Sequence, residues 1–178
     1  MRIRRNFAAP NASRINSMPE IRFQYDVPLE ETMAFEAVYP KNLQMTLPAK
    51  RALLKTEGAI AVWMFVDEVL AGESYGLPMA GYVDEMEDAA LVQDDRAHAL
   101  HCFSNTILPA FQRRGLGETL KSHWLGLAKG NGFRVIYGYA RPGASQGLNA
   151  KFGAKFLGDF PDWYGTGETY RLYRLPLG

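Results

Sequence analysis

Apolar and polar positions along this chain change their period several times, and each change marks an element. Residues 21–26, IRFQYD, alternate apolar and polar side chains, as a strand with one buried face does. Residues 29–39, LEETMAFEAVY, space their apolar groups by three and four behind a first turn that holds acids, which predicts a helix ended by Pro40. LPAKRALLKTE (47–57) predicts a second helix, with proline near its first turn. The nearly continuous apolar run AIAVWMFVD (59–67), a turn at Asp67-Glu68 and VLAGESYG (69–76) predict a hairpin. HALHCFSNTIL (98–108) reads as a strand. Residues 115–132 predict a helix with Leu116, Leu120, Trp124, Leu127 and Ala128 on one face and Gly130 and Gly132 near its end. RVIYGYA (134–140) is a strand, residues 143–154 allow one short helix, and TYRLYRL (169–175) is a closing strand. No repeat or low-complexity linker interrupts this order. It describes a single mixed α/β (α+β) domain over residues 19–178, preceded by a basic segment over residues 1–18.

Composition supports a globular reading. The chain has 178 residues, 47% hydrophobic and 22% charged, enough for one domain with a sizeable core. The net charge of +1 argues against a general nucleic-acid binder, and no apolar run approaches the roughly 20 residues that span a bilayer. Cys102 is the only cysteine, which excludes an internal disulfide and a cysteine-rich metal site. Its place in an apolar run favours a small buried hydrophobe. The reduced thiol, and an N-terminus without an apolar secretion segment, lead us to expect a cytoplasmic protein. Residues 1–18 carry Arg2, Arg4, Arg5 and Arg14 and no acid. They suit a mobile terminus or edge strand, or an arm for an anionic partner. Residues 84–95 hold Asp84, Glu85, Glu87, Asp88, Asp94 and Asp95. A solvated loop is the default reading, and an acidic rim that attracts a cationic substrate is the alternative.

ILPAFQRRGLGETL (107–120) carries the strongest chemistry. A strand ends near Pro109, which has no N–H for a ladder, so the sheet is expected to part there and leave backbone groups for an extended ligand. Gly115 and Gly117 then lead into the long helix. Its first N–H groups point outward with the positive end of the dipole, a good seat for phosphate. Arg113 and Arg114 add charge-assisted donors. The stretch is not a Walker loop. It is not the dinucleotide fingerprint either, whose third glycine would fall at Leu120.

Gln112-Arg113-Arg114-Gly115-Leu116-Gly117 resembles the [QR]-x-x-G-x-[GA] motif of the GNAT superfamily of N-acetyltransferases. KFGAKFLG (151–158) is similar to that family's late stretch, with Phe152-Gly153-Ala154 in the corresponding places. The resemblance is specific over roughly residues 98–158 and implies a central, mostly antiparallel sheet flanked by helices. It implies acetyl-coenzyme A (acetyl-CoA) as co-substrate and no metal. Its pyrophosphate would rest on residues 112–117, and its pantetheine arm would lie along Ile107 and Leu108. Asn149 and Phe152 would complete the cofactor site. An amine of a small molecule or peptide would attack the thioester directly, and a homodimer would be common for the family.

The same resemblance directs attention to a base and an acid. His101 stands where some family members carry glutamate, and it is read equally as a base or as a satisfied half-buried histidine. Glu73 is a second base candidate, with an exposed strand glutamate as its plainer identity. The family's usual tyrosine acid falls at Asn149, which cannot deliver a proton. Tyr139, Tyr164 or water are the substitutes. Trp163, Tyr164 and Tyr170 are either acceptor contacts or hairpin packing. Two functions fit: an acyl-CoA N-acyltransferase, or a catalytically silent coenzyme A-binding protein of the same fold.

Overall fold

The computed structural model describes residues 18–82 and 88–178. The arginines of the basic segment, and Asp84, Glu85 and Glu87 of the acidic one, lie outside the described residues. The described strands are β1 (Ile21–Gln24), β2 (Ile60–Val66), β3 (Val69–Pro78), β4 (Ala99–Ile107), β5 (Val135–Ala140), β6 (Lys155–Phe160) and β7 (Tyr170–Pro176). They form one seven-stranded sheet in the order β1-β2-β3-β4-β5-β7-β6. Only β4 and β5 pair in parallel; the other neighbours are antiparallel. The helices are α1 (Leu29–Thr32), α2 (Leu47–Leu54), α3 (Leu116–Gly130) and α4 (Ala144–Lys151).

Two expectations change. The helix predicted over residues 29–39 is α-helical only to Thr32 and then tightens into a 3₁₀ stretch, Met33–Val38. The strand β6 was not predicted at all. Gly153, at a φ of 86°, ends the short helix and turns the chain into KFLGDF, whose alternating half-buried positions suit an edge strand.

The apolar stripe of α3 seals one face of the sheet. Leu120, Trp124 and Ala128 are fully buried with Met64, Ala71 and Leu100 in the largest core cluster. Burying a leucine such as Leu120 contributes about 2 kcal/mol. The Trp124 indole Nε1 donates to the Ile60 carbonyl at 3.0 Å. Gly76 lets the strands and helix come this close: a Cβ there would stand 2.4 Å from the His101 carbonyl oxygen and 2.8 Å from the Trp124 ring.

The sheet parts along β4. This strand keeps its β3 partner from Leu100 to Ile107 but pairs with β5 only from Ala99↔Val135 to Cys102↔Gly138. The next residue, Phe103, is an extra residue against β3, where Tyr75 faces Ser104 and Gly76 faces Cys102. A bulge sharpens local twist, so β4 turns away from β5 where their pairing stops. The strand does end near Pro109, but the bulge, upstream of the proline, is the hinge. Pro109 starts a separate 3₁₀ turn, Pro109–Phe111.

Candidate active site

A groove begins at the α3 N-terminus. Arg113 and Gly115 both have left-handed backbone, with φ of 61° and 78°, which swings the chain from the turn into the helix. No side chain caps that helix, so its first N–H groups stay available to an anion. The first section of the groove, about 330 Å³, is lined by Gln112, Arg113, Gly115, Leu116 and Gly117, with Ser145 and Leu148 of α4 opposite. The Gln112 side chain donates to the Ile107 carbonyl at 2.9 Å and pins the loop to the strand end.

A second section, about 200 Å³, shares Asn105, Ile107, Gln112, Ser145 and Leu148 with the first. It enters the gap between β4 and β5 and reaches Cys102, Lys121, Asn149 and Tyr173. Asn105 Oδ1 and Asn149 Oδ1 are buried acceptors with no donor among the described residues. Acceptors without donors suit a ligand that carries amide N–H groups, as a pantetheine arm does.

The third section, about 250 Å³, shares Tyr39, Cys102, Phe103, Tyr139 and Tyr170 with the second. Its walls are mostly aromatic. Tyr82 and Phe103 each lie with ring centroids 4.6 Å from His101, and Tyr139 stacks on Trp163 at 4.1 Å. Trp163, Tyr164 and Tyr170 therefore line this chamber as well as packing on one another.

A buried ionic cluster stands against the chamber. The Lys50 ammonium reaches Glu36 Oε1 at 3.0 Å, Glu73 Oε2 at 2.8 Å and the Thr32 carbonyl at 3.3 Å. Lys50 and Glu73 are both 0% exposed, so the reading of Glu73 as an exposed strand glutamate is corrected: β3 turns it into the interior. One ammonium against two carboxylates leaves a negative charge in a dry site. Burial pushes the Glu73 pKa up to about 7, against the pull of Lys50. Ser104 donates to Glu73 Oε1 at 3.2 Å, and the Tyr39 hydroxyl lies 2.9 Å from Ser104 Oγ and 2.5 Å from Thr106 Oγ1. Tyr39 lines both inner sections of the groove, so a hydroxyl chain connects the cavity to Glu73.

The other predicted residues divide. His101 lines the chamber but is only 3% exposed. Burial lowers its pKa to about 3, and its Nδ1 has no partner, so it is neither charged nor satisfied. Tyr139 lines the groove, but its hydroxyl donates to Asp88 and its pKa is raised, first by burial. Arg114 folds back onto its own loop, donating to the Ala110 carbonyl at 3.0 Å beside the Phe111 ring. Leu108 and Phe152 pack against core clusters and do not line the groove. Of the acidic segment, Asp94 pairs with Arg174 and Asp95 with His98. Among the described residues no group of acids, histidines and cysteines could hold a metal ion, and no helix is long and apolar enough to cross a membrane.

No family model matches the sequence, and no curated protein matches it. Solved structures do. The ribosomal-protein-S18-alanine N-acetyltransferase from Escherichia coli superposes with a TM-score of 0.66 at 15% identity, over 90% of this chain and 95% of that one. An acetyltransferase of the GNAT family from Streptococcus pneumoniae gives 0.63 at 14% identity, over 89% and 100%. The chain has the GNAT fold. The GNAT-like decarboxylase GphF, solved with isobutyryl-CoA, gives 0.71 at 17% identity, over 88% and 100%. The GNAT fold thus accounts for the seven-stranded sheet and its flanking helices over nearly the whole of each chain compared.

Sequence reasoning missed Tyr39, Lys50, Ser104 and Lys121. The first two come from the part of the chain outside the motif resemblance. The others sat unmarked in runs read only as strand and helix. A lysine such as Lys121, on the apolar side of the helix pattern, was the one available signal.

Proposed function

We propose that this protein is an acyl-CoA N-acyltransferase that moves an acetyl group from acetyl-CoA to a primary amine by direct attack in a ternary complex. The observation that carries this reading is the continuity of the groove. It runs from the free helix N-terminus, through the gap between β4 and β5, to an aromatic chamber backed by Glu73. When bound, acetyl-CoA supplies the activated acyl group.

The backbone N–H groups at Leu116 and Gly117, with Arg113, would hold its pyrophosphate. Arg113 suits this better than Arg114, whose guanidinium already serves the Ala110 carbonyl. The orphaned oxygens of Asn105 and Asn149 would accept from its amides. Tyr39 accepts the amine proton and passes its own to Ser104, which protonates Glu73. A carboxyl poised near 7 suits this task, whereas neutral His101 orients and shapes the chamber. This proton path favours an enzyme over a silent coenzyme A binder.

The test is thermal stabilisation by acetyl-CoA, worth about 2.7 kcal/mol at a hundredfold excess over Kd. Gly115→Glu, which strains the left-handed backbone and places a carboxylate at the phosphate seat, removes it. No stabilisation of the parent protein by millimolar acetyl-CoA overturns the proposal. Thiol release across an amine panel then identifies acceptors, and Glu73→Gln lowers kcat by roughly 10²-fold.

A further inference from the structure

Lys121 is 1% exposed and lies on the buried side of α3. Its ammonium has no hydrogen bond and no ion pair among the described residues. It lies over the face of the Tyr173 ring, 5.5 Å away, and near the Cys102 thiol. A buried ammonium without a counter-charge is costly, so such a residue persists where an anion arrives to meet it. The titratable groups beside it are Cys102 on β4 and Tyr173 on β7, and burial pushes both upward, so neither supplies a standing negative charge. From α4 the same section of the groove receives Ser145, Leu148 and Asn149, all uncharged. Arg141, which follows β5, also lines it but is paired with Glu168, and burial raises the pKa values of Tyr39, Tyr139 and Tyr170 there. Burial also lowers the Lys121 pKa, which makes its proton easier to give.

This section of the groove is the gap between β4 and β5, where the acyl carbon–sulfur bond would break. The inference rests on the acyltransferase reading. We infer that Lys121 is the proton donor to the departing coenzyme A sulfur, in the role that Asn149 cannot fill. As the carbon–sulfur bond breaks, its electron pair stays on sulfur, and a proton passes from Lys121 Nζ to that sulfur. The acyl carbon keeps its new bond to the amine nitrogen. The proton lost by that nitrogen goes through Tyr39 and Ser104 to Glu73. The protein ends the turnover with a neutral lysine and a protonated glutamate; Glu73 then releases a proton to solvent and Lys121 takes one up, with no net change.

The experiment titrates the thiol of free coenzyme A bound to the protein, read by the ultraviolet absorbance of the thiolate. Bound to the parent protein, coenzyme A ionises at least one pH unit below the free molecule. Lys121→Met binds it but loses that shift, and kcat falls by roughly 10²-fold with KM for acetyl-CoA nearly unchanged. Lys121→Arg keeps the thiol shift, through its charge, but not the rate, because arginine does not give up its proton. Desulfo-coenzyme A binds the parent and Lys121→Met proteins equally.

Coenzyme A bound with an unshifted thiol overturns the role of Lys121 and leaves the acyltransferase reading standing. So does a Lys121→Met variant whose only change is a lost preference for donors with a carboxylated acyl chain, because the lysine then serves the acyl group. A parent protein that binds no coenzyme A overturns both.

Discussion

Two lysines are sealed inside this molecule, and their surroundings are opposite. Lys50 on α2 faces two carboxylates and a carbonyl, so all three of its donors are used. Lys121 on α3 faces an aromatic ring and a thiol, and its donors are idle. The first cluster is paired within the fold, and burial, with a smaller push from the Glu36 charge, prepares Glu73 to hold a proton. The second is balanced only when something enters the groove. Burial alone therefore does not identify a functional lysine; what completes its hydrogen bonds does.

The largest effect that separates the two lysines is expected from Lys50→Met. It leaves Glu36 and Glu73 without a cation and destabilises the fold by about 3–5 kcal/mol in urea unfolding. Adding Glu73→Gln to that variant recovers part of the loss, because one buried charge is gone. Lys121→Met moves stability the other way, by about 1–3 kcal/mol, since an uncompensated ammonium is replaced by an apolar chain. If it destabilises by as much as Lys50→Met, the contrast between the two sites is wrong.

Acid and base then sharpen the picture. The Glu73 pKa is about 7 in the fold against an ordinary 4.5, so the folded state holds this proton more tightly. Its stabilising share is complete below 4.5 and is lost as pH rises through 7. The His101 pKa runs from an ordinary 6.5 down to about 3, so its share is present above 6.5 and is lost as pH falls toward 3. Stability measured from pH 3 to 8 should lose its alkaline decline in Glu73→Gln and part of its acid decline in His101→Asn. The smallest effect is Thr46→Ala. Thr46 Oγ1 accepts from the Ala49 N–H at a long 3.4 Å and caps the helix that carries Lys50. Its loss should cost about 1 kcal/mol without moving the Glu73 titration.

Local periodicity made most of the frame legible. The hairpin of β2 and β3, the strand β4, the turn through Gly115 and the stripe of α3 all declare themselves within a few residues of sequence. The edge strand β6 did not, because its six residues follow a short helix and alternate only weakly. The loop proposed to seat the pyrophosphate was legible for the same local reason: loop and helix N-terminus are contiguous. The side-chain cluster behind the proposed proton path was not. Lys50 meets Glu36 and Glu73 across three separate elements, and Tyr39 meets Ser104 from 65 residues away in the chain. Nothing in the spacing of these residues announces contacts set by tertiary packing. The parting of the sheet was legible in place but not in cause, since the extra residue at Phe103 is visible only against the register of β3.

The strand order carries one more consequence, for how the chain is made. β7 lies between β5 and β6, although both precede it in sequence. Until residues 170–176 have emerged from the ribosome, β5 has a bare edge on one side and β6 has no partner. Tyr173, whose ring faces Lys121, is absent as well. The half of the sheet that borders the cleft is thus completed last during synthesis. Any factor that shields exposed strand edges has its longest opportunity on this half of the nascent domain.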